Sequence, residues 1–171
     1  MGLMAILATV AMLFAAFTAA VLIRRTGGDW EAVPLPPLIW GNTAVLIMSS
    51  VAVERARGAA RRDQARQSAR WLAVASSLGV LFVAGQVAAW RLLVVRGVVL
   101  PSSAYASFFY MLSAVHGAHV VGGLGALGWT LRRAGRGAYR GSRQAGLAHT
   151  AIYWHFVGGV WLYLVVLLLT L

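Results

Sequence analysis

The sequence predicts an all-α membrane protein, a five-transmembrane-helix bundle with its N-terminus cytoplasmic and its C-terminus outside. Three observations predict it. Of 171 residues, 60% are hydrophobic and only 11% are charged, whereas a soluble domain of this size carries about 25% charged residues. The mean hydropathy is +0.76, which excludes a soluble enzyme or a freely diffusing regulatory domain. Apolar runs fall at about residues 3–23, 38–53, 71–90, 104–131 and 148–171, with short polar gaps between them. A bilayer core takes about 20 residues of helix, and a backbone in lipid must satisfy its own hydrogen bonds. The chain from 1 to 171 reads as a single membrane domain.

Each span has its own signals. The first ends at Arg24 and Arg25; it sits where a signal peptide would, but it lacks a basic start and a small-residue cleavage site, so it reads as a retained helix. Gly27 and Gly28, then Pro34, Pro36 and Pro37, break that helix and start the next. The second run is short, and Leu35, Pro36 and Pro37 extend it at the interface. Residues 54–70 are strongly basic and read as a partly helical loop. After the third span, Pro101, Ser102 and Ser103 form a helix start whose hydroxyls can cap free backbone donors. The fourth span is long enough to tilt. The five spans are expected to divide two-plus-three about a lipid-filled groove.

Charge sets the orientation. The formal net charge is +11, and all fifteen basic residues are arginine. Nucleic acid is a poor explanation, because the arginines sit in the gaps between apolar runs. Eleven lie in the second and fourth gaps: Arg55, Arg57, Arg61, Arg62, Arg66 and Arg70, with Arg132, Arg133, Arg136, Arg140 and Arg143. Four lie in the first and third: Arg24, Arg25, Arg91 and Arg96. The positive-inside rule then places the N-terminus in the cytoplasm. Arg55, Arg57, Arg61, Arg62, Arg132 and Arg133 are the expected contacts to lipid headgroups. With no cysteine, the chain holds no disulfide, iron–sulfur cluster or thiolate copper site.

The polar residues inside the spans are the candidate site. His116 and His119 are three apart and share a helix face, and His155 lies well inside the last span, with His149 nearer its cytoplasmic end. Ionisable groups in a membrane usually face the bundle interior. Neutral imidazoles bonded to Ser113, Tyr153, Thr150 or backbone carbonyls explain them structurally. His116 or His119 opposite His155 as bis-histidine haem ligands is the chemical alternative, in a small membrane cytochrome b, and a proton or ion role is a third. No metal site is assigned. Asn42, Gln86, Tyr153 and Trp154 complete the interior polar set, with Gln86 in need of a partner. Ala118, Gly122 and Ala126 form a small-residue stripe for close helix approach, and Gly79, Gly85, Gly158 and Gly159 suit the same use. Trp30, Trp40, Trp71, Trp90 and Trp129 read as interfacial anchors. The acids Asp29, Glu31, Glu54 and Asp63 all read as loop or span-edge residues. No carboxylate is expected at mid-membrane, as an independent proton pump would require. No phosphate loop, dinucleotide loop, zinc-protease motif or nucleophile elbow is present.

In order along the chain, these segments resemble the compact five-helix bacterial form of subunit III of haem–copper terminal oxidases. Phe108 and Phe109, His116 through Val120, and Gly122–Gly123 look like that family's fourth-span signature. Tyr153 through Val157 and Val160–Trp161–Leu162 look like its last span, Asn42, Thr43, Ser49 and Ser50 its second, and Leu78, Gly79, Phe82 and Gln86 its third. Met12–Leu13–Phe14, Phe17, Ala19 and Ala20 fit its first. Three departures stand out: Val10, Ala89 and Gly158 occupy positions where the family usually has acids, although Trp90 is kept. The resemblance implies a non-catalytic accessory subunit in a bacterial inner membrane, with no cofactor of its own. It implies phospholipid bound in a helix cleft, with haem and copper in partner subunits. Subunit I would be the main partner, with subunit II and a small subunit IV, and no nucleic acid. It implies support of proton uptake and protection against inactivation during turnover, in a complex passing electrons from cytochrome c or quinol to oxygen. A related protein associated with nitric oxide reductase shares much of the pattern.

Overall fold

A computed structural model describes residues 2–27, 30, 31, 33, 35–135 and 145–171. Gly28, Asp29, Pro34, Arg136, Arg140 and Arg143 lie outside the described residues. The rest form five helices: α1 (Gly2–Arg24), α2 (Leu38–Arg61), α3 (Ala65–Val95), α4 (Ala104–Gly135) and α5 (Ala145–Thr170), with no strand among the described residues. Four of them, α1, α3, α4 and α5, are long and apolar enough to cross a membrane. The 24-residue α2 is apolar through Val53 and then carries Glu54, Arg55, Arg57 and Arg61. The basic stretch 54–70 is therefore almost wholly helical. Only Arg62, Asp63 and Gln64 separate α2 from α3, with Asp63 at φ 56° in the left-handed turn, a conformation aspartate tolerates better than most residues.

Helix ends follow the local chemistry. Gly97, at φ +81°, stops α3, and the Val98 amide reaches back to Leu93 O at 3.0 Å, the usual glycine-terminated C-cap. The Ser103 hydroxyl accepts from the Ala106 amide at 3.1 Å and starts α4, as the Pro-Ser-Ser sequence predicts.

Helices α2, α3, α4 and α5 close a ring in chain order, α5 packing back on α2, while α1 lies outside against α4 and α5. The expected two-plus-three division is thus a four-plus-one arrangement. Short connections make ring neighbours antiparallel, and two tryptophans two turns apart on α5 key the ring. The Trp154 indole lies between Gly79 of α3 and Gly123 of α4, and its Nε1 donates to Ser49 Oγ of α2 at 3.1 Å. Trp161 donates to Thr43 Oγ1 of α2 at 3.0 Å. Its ring meets Phe82 of α3 edge-on at 5.0 Å and His116 of α4 at 5.2 Å. Leu147 and Leu168, also buried, continue the same seven-residue series, the spacing of a bundle seam. On the outer side, Val10, Phe14 and Val21 of α1 pack with Leu112, Leu164 and Leu167, and Thr18 and Tyr163 share a 2.7 Å hydrogen bond.

Candidate functional site

Where α2 and α5 meet, the ring opens outward as a groove of about 840 Å³. Thr43, Leu46, Ile47, Ser50, Val51 and Glu54 descend one face of α2 at helical spacing, and Gly158, Gly159 and Leu162 of α5 form the opposite wall. At the basic end stand Arg55, Arg62 and Gln67, with Trp71 of α3 beneath. The Arg55 guanidinium lies 4.8 Å above the Trp71 ring, a cation–π contact. The Arg62 guanidinium folds back over Gly58. The groove is polar at one end and apolar along its length.

His155 sits in this wall, and it does not face the other histidines. Its Nε2 lies 2.7 Å from Glu54 Oε1, which also accepts from Arg57 Nη1 at 2.7 Å. A carboxylate oxygen so close to an imidazole nitrogen needs a proton between them. With Arg57 already donating to that oxygen, the proton belongs on Nε2, which fixes the ring's role as donor. Glu54 is 49% exposed and His155 36%, so the cluster borders the groove and is not sealed inside the ring. In the sequence Glu54 reads as a span-edge residue, with no carboxylate expected beside the histidines. α2 is helical through Glu54 and for two turns beyond it, which holds the acid on the helix face that meets His155. The signal available was the spacing: Glu54 continues the Ile47, Ser50, Val51 face.

His116 is 1% exposed, among Phe14, Phe82 and Trp161, and neither of its ring nitrogens has a hydrogen-bond partner among the described residues. Gln86, 4% exposed, has neither amide atom paired among them. Trp90 donates to Ser113 at 3.0 Å, and a Cβ at Gly79 would touch Leu124. In that antiparallel register Gln86 falls level with His116. His119 is half-buried, its Nδ1 bonded to Val115 O at 2.7 Å, and its carbonyl accepts from Tyr153 at 3.2 Å. Tyr153 and His155 are two residues apart on one helix, about 200° in rotation. The face of α5 that meets His119 is therefore turned away from the one carrying His155. Aromatic rings fill the space around His116. The structure brings His116 and His119 onto one side and does not set His155 opposite them, so these imidazoles do not present the facing pair that a haem requires.

Other expected positions resolve individually. Asn42 Nδ2 donates to Phe82 O at 3.3 Å, and its oxygen lies where a Cβ on Gly85 would be. Thr130 and Thr150 are bonded at 2.9 Å. Ala118 and Gly122 are exposed, so the small-residue stripe is not the line of close approach; that falls one residue along, at Gly123. Trp40 and Trp129 stay exposed, whereas Trp30 turns inward onto Tyr105 and Leu171 O, and Trp90 onto Ser113. Arg57 is paired with Glu54, and Arg61 closes α2. Arg132 and Arg133 end α4, Arg133 lying 5.9 Å from the Trp129 ring. Of the three positions lacking acids, Val10 and Ala89 are buried and Gly158 faces Ser50 across the groove.

The family model for cytochrome c oxidase subunit III matches residues 3–170. The chain belongs to the cytochrome c oxidase subunit III family. It is similar to a probable cytochrome c oxidase subunit 3 of Mycobacterium bovis, 35% identical over 141 residues, covering 81% of this chain and 70% of the relative. The cytochrome c oxidase subunit 3 of Thermostichus vulcanus is 33% identical over 177 residues, covering 98% of this chain and 85% of that one. A third, from Synechocystis, is 32% identical over 156 residues, covering 88% and 66%. The chain is accordingly a subunit III of a haem–copper oxidase, an integral membrane protein of a multisubunit complex.

Proposed function

We propose that this subunit is non-catalytic, docks on the haem- and copper-bearing subunit I, and supports proton uptake while binding phospholipid. The match over residues 3–170 carries the reading. Its relatives are named for cytochrome c oxidase, which supports cytochrome c over quinol as donor, and over a nitric oxide reductase partner. They are bacterial, which supports a multi-pass place in the bacterial plasma membrane. Subunit II and a small subunit IV complete the proposed set of partners, and haem and copper belong to those partners. α2 is the fifth span: its apolar part, Leu38–Val53, reaches about 24 Å at 1.5 Å each, and the stems of the arginines that follow can cover the remainder of a hydrocarbon core of about 30 Å. The arginine ends of α2 and α4 then face the cytoplasm, with the N-terminus, and the C-terminus lies outside.

In this reading His116, Gln86, Asn42, Tyr153 and Trp154 organise the ring, and His155 belongs to the groove. The test is a mild-detergent pull-down of the tagged chain from its own membranes, with an absorption spectrum of that sample and of the chain expressed alone. Co-elution of a haem–copper subunit, with a colourless isolated chain, is the expected result. Stoichiometric haem on the isolated chain would overturn it.

A further inference from the structure

We propose that Gln86 of α3 and His116 of α4 hold one buried water molecule between them, a second polar rung joining the two helices one turn from the Trp90–Ser113 bond. The site lies wholly within this chain, so it goes beyond the subunit reading and does not depend on the partners.

Hydrogen bonding comes first. Among the described residues, five buried side-chain polar atoms have no partner, and four of them belong to these two residues: Gln86 Nε2 and Oε1, with His116 Nδ1 and Nε2. Their neighbours are satisfied within the chain. His119, three residues from His116, uses its own helix, with Nδ1 2.7 Å from Val115 O. The buried amide of α2, Asn42, donates to Phe82 O at 3.3 Å. Gln86 and His116 are 4% and 1% exposed, and an amide or imidazole taken that far from solvent is costly to leave unpaired.

Position comes second. Trp90 Nε1 donates to Ser113 Oγ at 3.0 Å, and the Phe82 and His116 rings meet edge-on at 6.0 Å. The α3 face carrying Phe82, Gln86 and Trp90 therefore runs along the α4 face carrying Ser113 and His116, with Gln86 level with the imidazole. Neither residue is within hydrogen-bond reach of the other. Two polar groups at one level, too far apart to bond directly, are spaced for a bridging molecule. A neutral imidazole presents one donor and one acceptor, and a primary amide presents both kinds. Water, with two of each, matches either tautomer and either amide orientation, and it needs two to four such partners to be held. A metal ion fits less well, because no three metal-ligating side chains gather among the described residues. Anything larger would have to pass Phe14, Phe82 and Trp161, whose rings surround His116.

The experiment is a cryo-electron microscopy map of the purified oxidase complex containing the full chain, at a resolution that shows ordered water, for wild type and for Gln86→Leu. The wild type should show one peak about 2.7–3.2 Å from a Gln86 amide atom and from a His116 ring nitrogen. The peak should be gone in Gln86→Leu. Thermal unfolding gives a second readout. Gln86→Leu and His116→Phe, both close in volume to the originals, should each lower the melting temperature by several degrees. The double variant should lose clearly less than the two losses together, because each single change strands the other group and the double change strands neither. A wild-type map without the peak overturns the proposal, as does direct contact between amide and ring, or a group from another molecule bonded to either. A peak that persists in Gln86→Leu, or additive losses, overturns it too. Should a variant fail to assemble, the wild-type map decides. Haem absorbance of the same sample reports on the subunit reading, whose failure would leave the peak unaffected.

Discussion

Two sets of glycines do opposite things in this molecule. Gly79, Gly85 and Gly123 lie where helices touch: a Cβ at the first would sit 2.7 Å from Leu124 and 2.8 Å from the Trp154 ring, at the third 2.9 Å from that ring, and at Gly85 inside the Asn42 side chain. Gly58, Gly158 and Gly159 border the groove and touch little. The first set is demanded by the chain's own packing. The second is not: it leaves the wall of the groove open. A glycine in an apolar run has no meaning until the atoms opposite it are known.

The largest effect should come from removing what the inner glycines make room for. Trp154→Ala empties a slot shared by three helices and removes the donor to Ser49, whose hydroxyl keeps its own bond to Ala75 O at 2.8 Å, and buried Trp→Ala changes cost about 3–5 kcal/mol. Thermal unfolding of the detergent-solubilised complex should drop steeply, or the complex should not be recovered. Next is Gly85→Val, an overpacking change worth about 1–3 kcal/mol. Combining it with Asn42→Ala, which deletes the clashing amide, should restore part of the loss. An additive double variant would break the claim that Gly85 exists for Asn42.

Helix number and the histidine segments are legible in the sequence, because runs of apolar residues and a shared motif survive without knowledge of the neighbours. The seam is not. On α5 the buried series Leu147, Trp154, Trp161 and Leu168 is hidden, because in lipid the outward face is equally apolar and no polar face marks the inside. The same blindness made Ala118 and Gly122 look like the contact line in place of Gly123. The pairing of Glu54 with His155 is hidden for a different reason. Charged residues signal the end of a span, yet α2 continues as helix through Arg61, since arginines at a membrane surface favour helix as readily as loop. In the sequence alone His155 therefore has no visible partner and reads as free to be a ligand.

The groove side answers more weakly. Glu54→Gln leaves an oxygen for Arg57 but removes the charge on which Arg57 and His155 converge. With Glu54 49% exposed and His155 36%, such a pair is worth only about 0.2–1 kcal/mol. The expected result is a small fall in melting temperature that shrinks as salt rises. A loss as large as that of Trp154→Ala would mean the cluster is a structural key of the ring, and the contrast between interior and groove would fail.

The smallest effect is also the one with the opposite sign. Gly159→Ala adds a methyl where nothing lies within 4 Å, so it meets no clash, and it gains up to about 1 kcal/mol of helix propensity. In delipidated detergent-solubilised complex its melting temperature should equal or slightly exceed that of wild type, while Gly123→Ala, pressed against Trp154, should fall. Equal and opposite responses of two α-helical glycines to the same one-carbon change would separate packing inside the chain from packing against something outside it. A fall for Gly159→Ala in lipid-free detergent would show instead that the groove wall is held by contacts within the protein.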